Sequence, residues 1–343
     1  MELIIKHRPD DFFVSENALP ALRPTGAYHY WRLRKTGYTT FEAVAWIAAT
    51  LGVAAADVSY AGLKDEDGVT EQWIAIAGAA RGEATLRHAS PDGARRLELQ
   101  PCGHADRGLA IGELLGNSFA VTVRGLAREV AEAIAARTEH VVYFLNYFDD
   151  QRFGVPGAPR LTHRIGRALL DGDAARALEL VIHAELAESA PARDHRGSPE
   201  AFFAALDPRV TSLYLSASSS EHWNDQLAAL VRDREPGHED RRHGLAWCYA
   251  VAPETPRAIL AEVPELPFVK YRPAPGRPAS ELPAPKLSRR STVIQAFVRV
   301  VRCAEDDSFA GKHKLDVAFT LPGGCYATMC LRQLVLQFAA RGD

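Results

Sequence analysis

Several features that would place a chain outside the cytoplasm are missing from this one. Its five cysteines (Cys102, Cys248, Cys303, Cys325 and Cys330) are odd in number and form no C-x-x-C pair. That argues against a disulfide framework and for reduced thiols that serve as packing residues. No apolar run approaches the ~20 residues needed to span a bilayer, and the apolar stretch in MELIIKHRPDDFFV is too short for a signal peptide. A cytoplasmic protein with no membrane partner is the expectation. Excess positive charge is also lacking, since 40 Lys and Arg stand against 43 Asp and Glu, a net charge of -3. A non-specific duplex binder is usually basic overall, so DNA is not an expected partner. An enzyme that grips one folded RNA needs only a local basic groove, and composition leaves that open. Repeats and runs of βαβ signatures are absent too, which favours an α+β chain over a doubly wound sheet.

What is present is enough for a large core. The chain has 343 residues, 47% of them hydrophobic, sufficient for about two domains. KTGYTTFEAVAWIAATLGV predicts a helix with marked ends: Thr39 and Glu42 form a capping box, Gly52 supplies the C-cap, and Phe41, Val44, Ala45, Ala48 and Leu51 form the apolar stripe. YHYWRLRK, EQWIAIAG and GNSFAVTVRGL read as strands. In the last, Asn117, Phe119, Val121 and Val123 share a face because side chains repeat every second residue. REVAEAIAARTEHVVYFL, THRIGRALLDGDAARALELVI and SSSEHWNDQLAALVRDR read as helices. KYRPAPGRPASELPAPK carries five prolines in seventeen residues and reads as an exposed, semi-rigid loop. Strands over STVIQAFVRVVR and LDVAFTLP and a helix over YATMCLRQLVLQFAA close the chain.

The stretch YAGLKDEDGVTEQW gathers Asp65, Glu66, Asp67 and Glu71 around Lys64 and Gly68. Three readings compete. Counted from Asp65, an EF-hand loop would need glycine at its sixth position, where Thr70 stands, and no His/Cys cluster accompanies it. A solvated turn is the plain alternative, since Asp and Gly favour turns. The third is the address of a catalytic carboxylate.

The sequence around Asp65 resembles the (F/Y)AG(L/M/Q)KDxxAVTEQW signature of the TruD family of pseudouridine synthases, in which the aspartate after the lysine is catalytic. Further matches follow in the family's order. IIKHRPDDFFVSE resembles K-x-x-P-x-D-F-x-V-x-E at Lys6, Pro9, Asp11, Phe12, Val14 and Glu16. RKTGYTT is similar to the family's K-x-x-x-T, and HADRGLAIGELLGNSF to the stretch ending G-N-x-F, with His104, Asn117 and Phe119 in place. NYFDDQRFG, LYLSASSSEHWNDQL and FTLPGGCYATMCLRQL resemble three later motifs. Departures are Asp149 and Gly68, where the family has glycine and alanine, and Cys325 and Gln333, where it has serine and glutamate.

The resemblance implies an α+β fold: a catalytic domain built on a mixed, largely antiparallel sheet, over residues 1–153 and 301–343. An inserted α+β TRUD domain is expected over 154–300, with a cleft between the two. It implies a monomeric enzyme acting on tRNA, most specifically at uridine 13, and converting uridine to pseudouridine with Asp65 as catalytic nucleophile. That isomerisation breaks the N-glycosidic bond, turns the uracil and rejoins it through carbon 5. It therefore needs an ionised carboxylate but no metal and no cofactor. The flipped base must be held by an aromatic face and hydrogen bonds, which the resemblance assigns to Phe12, Asn117, Phe119 and Tyr326, with Lys6 neutralising the carboxylate or a phosphate. Lys6, Arg32, Arg34, Lys35 and Arg152 are expected to line a groove for RNA. Lys64 should point away from Asp65 if the segment is extended, His104 should be structural, and Arg152 and Arg332 should bind phosphate or brace the fold. Two rivals stand beside this reading: a non-catalytic RNA-binding relative acting as an RNA chaperone, and a glycoside hydrolase, which would need a second carboxylate across a sugar ring.

Overall fold

The computed structural model describes residues 3–78, 82, 84–155, 157–272 and 281–339. In chain order, its first half runs β1 (Phe12–Asn17), β2 (Tyr28–Thr36), α1 (Thr40–Leu51), β3 (Val58–Tyr60), β4 (Val69–Ala77), β5 (Leu86–Ala89), β6 (Arg96–Ala105), β7 (Gly116–Leu126), α2 (Arg128–Ala135) and β8 (Glu139–Leu145). Helices then follow as α3 (Thr162–Leu170), α4 (Ala174–His183), α5 (Ser189–Asp194), α6 (Pro199–Ala205) and α7 (Pro208–Arg232). The remainder is β9 (His238–Arg242), β10 (Leu245–Tyr249), α8 (Glu254–Glu262), β11 (Glu265–Arg272), β12 (Ala284–Ser291), β13 (Val293–Glu305), β14 (His313–Leu321) and α9 (Ala327–Ala339). Packing divides the chain into two compact units, one comprising Met1–Val142 and Ala296–Ala327, the other Tyr143–Gln295 and Thr328–Ala340.

The first unit is organised by a ten-stranded sheet in the order β5-β6-β2-β4-β1-β7-β14-β13-β8, with β3 pairing β4. β1 is parallel to β4 and antiparallel to β7, while β2 is antiparallel to both β4 and β6. The sheet is thus mixed and largely antiparallel, as expected. On one face Trp31, Leu33, Ile74, Ile76, Leu97 and Leu99 pack against Ala43, Val44 and Ile47 of α1. The start of α1 follows its sequence: Thr39 Oγ1 accepts from the Glu42 amide at 3.1 Å, the Glu42 carboxylate accepts from the Thr39 amide at 2.8 Å, and Gly52 closes the helix in the left-handed region. Its buried stripe is rotated from expectation. Phe41 and Ala45 are exposed, and Ala43 and Ile47 take the core positions, because the helix is buried along i, i+1, i+4, i+5 from Ala43.

Three further expectations are corrected. Residues 128–145 are not one helix; α2 ends at Ala135 and β8 follows, where β-branched and aromatic VVYFL suits a pleated surface. Residues 162–182 form two helices, parted where Gly172 takes φ 78° and Asp173 caps α4 by accepting from the Arg176 amide. The segment expected as one loop over 270–286 has strands at both ends, in the β11–β12 ribbon, with Pro285 opposite Tyr271. A two-stranded ribbon is all edge, where proline is tolerated; residues 273–280 lie outside the described residues.

The second unit carries its own core, with Ile165, Leu169, Leu180, Val181, Phe202, Phe203, Tyr214 and Leu215 brought together from α3, α4, α6 and α7. A Cβ on Gly166 would stand 2.0 Å from the Tyr214 carbonyl oxygen, so only glycine lets α3 and α7 approach so closely. The NYF segment is gripped by buried donors and acceptors. Asn224 accepts from the Phe148 amide at 2.9 Å and donates to the Phe148 carbonyl at 2.8 Å. Trp223 and Trp247 donate to the Asn146 and Phe148 carbonyls.

At the mouth of β1, Arg124 donates to both Asp11 oxygens (2.8 and 2.7 Å), to Asp306 (2.9 Å) and to Asp307 (2.6 Å). Its side chain is 4% exposed, and that of Asp306 is 0% exposed. Burial alone would raise the Asp306 carboxyl, but the Gly125 and Ser308 amides and the Arg124 guanidinium together hold it below the usual value. With its folded pKa depressed, Asp306 contributes stability that is present above the ordinary carboxylate range and lost as pH falls through its folded value. Arg124→Met strands at least two buried carboxylates and should cost about 3–5 kcal/mol in denaturant unfolding at neutral pH. Its deficit should shrink as pH falls towards 4, because an unpaired buried carboxyl takes up a proton more readily than an unfolded one. A variant as stable as the parent at pH 7 would refute this account of the cluster.

Candidate active site

Strand pairing fixes which side chains share a face, since paired residues in neighbouring strands project to the same side. Phe12 stands opposite Val121, Val14 opposite Phe119 and Glu16 opposite Asn117. Phe319 is opposite Phe119 and Leu321 opposite Asn117; Val14 and Lys35 both flank Thr70, and Leu33 flanks Gln72. One face therefore carries Phe12, Val14, Glu16, Asn117, Phe119, Phe319, Thr70, Gln72, Leu33 and Lys35. The loop between β3 and β4, with Asp65 at its centre, is tied to this face.

Asp65 Oδ2 accepts from Lys6 Nζ at 2.7 Å, with the two side chains 34% and 17% exposed respectively. Lys6 Nζ also lies 4.4 Å above the Phe12 ring centroid. Phe12 packs on Phe119 at 5.9 Å, and Phe119 stacks on Phe319 at 5.3 Å. Lys6 takes φ 64°, a left-handed conformation that a side-chain-bearing residue holds only under constraint. The backbone bridge from Ile4 to Arg124 just upstream provides one such constraint.

The loop backbone is held from beneath. Lys64 donates to Glu16 Oε1 at 2.8 Å, while Glu16 Oε2 accepts from the Trp73 amide at 3.0 Å. The Lys64 amide donates to Thr40 Oγ1, and Gln72 Nε2 to the Gly62 carbonyl. Glu66 and Asp67 are exposed, so two of the four acidic residues are solvated.

The remaining expectations divide. Asn117 is half-buried on the site face, and its Oδ1 is buried without a hydrogen-bond partner. Tyr326 is half-buried in the segment between β14 and α9. His104 stacks on His29 at 4.5 Å. Arg152 donates to Ser220 and Arg332 to Asp240 inside the second unit, which gives both bracing roles. Cys248 and Cys330 are buried packing residues. Within the first unit, three of the cations expected to line a groove for RNA do not gather on the Asp65 face as free charges. Lys35 is 1% exposed, and the period of two sends Arg32 and Arg34 to the opposite face, over Trp73 and Phe13. Sequence reasoning missed Lys35, Glu16, Thr40 and Gln72 as supports of the loop. The signal was there for Lys35, which alternates with Trp31 and Leu33 on an inward-facing period. Among the described residues no group of three His, Cys, Asp or Glu could hold a metal ion.

Comparison with known proteins agrees with this architecture. The family model described as tRNA pseudouridine synthase D (TruD) matches residues 1–196. The chain belongs to the TruD family of tRNA pseudouridine synthases. It is 33% identical to tRNA pseudouridine synthase D of Anaeromyxobacter dehalogenans strain 2CP-C over 96% of this chain and 92% of that protein. It is 28% identical to the protein of that name from Aquifex aeolicus, over 97% of this chain and 98% of that one. A crystal structure of a Methanosarcina mazei protein assigned to TruD covers 96% of this chain and 93% of its own with a TM-score of 0.60; at 20% identity the likeness is one of fold.

Gly68 departs from the alanine of the TruD pattern, and the geometry explains why. A Cβ there would lie 2.6 Å from the Phe12 carbonyl oxygen and 3.0 Å from its ring, both below ordinary contact. In this member, β1 and the end of the Asp65 loop approach until only hydrogen fits. Gly68→Ala should therefore displace Phe12 and destabilise the protein by about 1–3 kcal/mol. Denaturant midpoints check this, and a variant at least as stable as the parent would show that β1 shifts freely.

Proposed function

We propose that this chain isomerises uridine to pseudouridine in tRNA, at uridine 13, with Asp65 as the nucleophile. The observation that carries the reading is the setting of Asp65. It is a partly exposed carboxylate, paired with one lysine, fixed by its own backbone and standing beside an aromatic cluster. A carboxylate so placed can attack, or stabilise the cationic sugar and collect a proton. The division into a catalytic domain of residues 1–153 and 301–343 with an inserted domain of 154–300 belongs to the same reading, as does action as a monomer in the cytoplasm.

The base would be captured by Phe12, Phe119, Asn117 and Tyr326. The unpartnered Asn117 Oδ1 supports this, since an acceptor buried without a donor is costly unless a ligand supplies one. Phe12 has Lys6 over its ring, so a base stacking there takes the place of Lys6. The ammonium, already 2.7 Å from Asp65, can keep that pair or turn to a phosphate.

The deciding comparison is Asp65→Asn beside Asp67→Asn on unmodified tRNA transcript, with pseudouridine read by carbodiimide modification. Asp65→Asn should make no product while binding RNA and melting like the parent; Asp67→Asn should turn over within a few-fold, because its side chain faces solvent. Wild-type turnover by Asp65→Asn would remove Asp65 from the mechanism. A parent protein that binds tRNA yet forms no pseudouridine would leave the RNA-chaperone reading in its place. Phe12→Ala and Asn117→Ala should each lose transition-state stabilisation on the order of 1–3 kcal/mol, the size of a base-stacking contact.

A further inference from the structure

Lys35 has the chemistry of a group placed for one task. An ammonium carries three donors and no acceptor, and this one meets three carbonyl oxygens: Asp65 at 2.6 Å, Tyr38 at 2.8 Å and Lys64 at 3.1 Å. Two of them belong to successive residues of the loop. Neighbouring carbonyls aimed at one point repel each other unless a cation sits between them, so the turn at Asp65 has its shape only with Lys35 charged beneath it. The position itself belongs to the apolar period of Trp31 and Leu33, where an aliphatic side chain would pack at no desolvation cost.

We infer that Lys35 is a positioning residue: its ammonium holds the Lys64–Asp65 backbone so that the Asp65 carboxylate is presented to the substrate. The inference rests on the reading of Asp65 as nucleophile. Burial lowers the Lys35 pKa to about 8, with Asp65, Glu66 and Glu42 pulling it back up and Lys64 pressing it down. Above that pH a neutral amine offers two donors and a lone pair to three carbonyls, and one of them is repelled. The effect on folding has the opposite sign. Because the folded pKa lies below the unfolded one, Lys35 contributes more stability as pH rises from about 8 to the ordinary lysine range. A purely bracing lysine would not link a loss of rate to that window.

The pH dependence of kcat/KM on unmodified tRNA transcript reports ionisations of free enzyme and free RNA, and only those of the enzyme respond to a protein variant. In the wild type kcat/KM should fall above about pH 8, and Glu66→Gln, which removes a carboxylate that holds the Lys35 proton, should move that limb to lower pH. Lys35→Met should lower kcat by about 10- to 100-fold, as a misplaced reacting group does, with KM little changed and the alkaline limb gone. A folded Lys35→Met with wild-type kcat, or with the limb intact, overturns the inference. So does a Glu66→Gln limb that does not move, which decides the matter even where Lys35→Met fails to fold. An inactive Asp65→Asn beside a normal Lys35→Met removes Lys35 alone, whereas an active Asp65→Asn removes the nucleophile reading and this inference with it.

Discussion

The first unit depends on where β1 enters its sheet. Six residues, Phe12–Asn17, run parallel to β4 on one side and antiparallel to β7 on the other, joining the β2–β4–β6 portion to the β7–β14–β13 portion. Because side chains alternate, a slip of one residue would exchange Phe12, Val14 and Glu16 for Phe13 and Ser15 across the whole face. Three devices hold the register. Asp11 is clamped by Arg124 just before the strand begins, Gly68 gives β1 room to approach β4, and Glu16 fastens the strand's far end to the Trp73 amide. Once the register is fixed, the aromatic cluster, Asn117 and the support of the Asp65 loop follow from pairing alone.

The unit holds an unusual amount of buried charge, and electrostatics explains why it survives. Glu16 and Lys64 pair with side chains 0% and 7% exposed; Lys35 and the Arg124 cluster are buried as well. Apolar residues of similar volume would often be as stable, so stability is a poor reason for keeping these groups. Their common property is directionality. An ammonium on three carbonyls, or a carboxylate shared between an amide and an ammonium, fixes angles that packed methyl groups leave soft. Lys35, Lys64 and Glu16 hold the loop itself, where a proposed nucleophile gains most from a fixed approach.

How much of this was legible varied with the range of the cause. The capping box at Thr39 and Glu42, the glycine that closes α1 and the strand over residues 116–126 are local devices, and they stand as read. Residues 139–145 were misread as helix because the helical period of α2 runs into them without a Gly or Pro between; pairing with β13 settles their state. Phe41 was placed inside by its apolarity, yet the face of α1 that is buried is chosen by the sheet beneath it. Lys35 was counted among surface cations by its charge, although its neighbours two and four residues earlier are core residues. Phe12, Phe119 and Asn117 were named through a resemblance. Their presence on one face with Glu16 is a matter of register that no single segment contains.

The departures from the family pattern can be followed in the same way. Asp149, where the pattern has glycine, is buried; its carboxylate accepts from the Asp150 amide at 2.8 Å and from Thr328, and lies 3.5 Å from Arg242. Gln333, where the pattern has glutamate, donates from Nε2 to the Ala250 carbonyl at 2.7 Å. A glutamate would meet that carbonyl with an acceptor in place of a donor. Relative to the pattern, position 333 thus carries a donor without a negative charge, and position 149 a carboxylate with partners of its own. Asp149 is accommodated by hydrogen bonds inside the second unit, Gln333 gains one bond there but leaves its Oε1 buried without a partner, and Gly68 permits the closer approach of β1 in the first. None of them alters Lys6, Asp65, Phe12 or Asn117. In this chain the departures at positions 68, 149 and 333 thus fall on residues that hold elements together, while Lys6, Asp65, Phe12 and Asn117 stand as the family pattern has them.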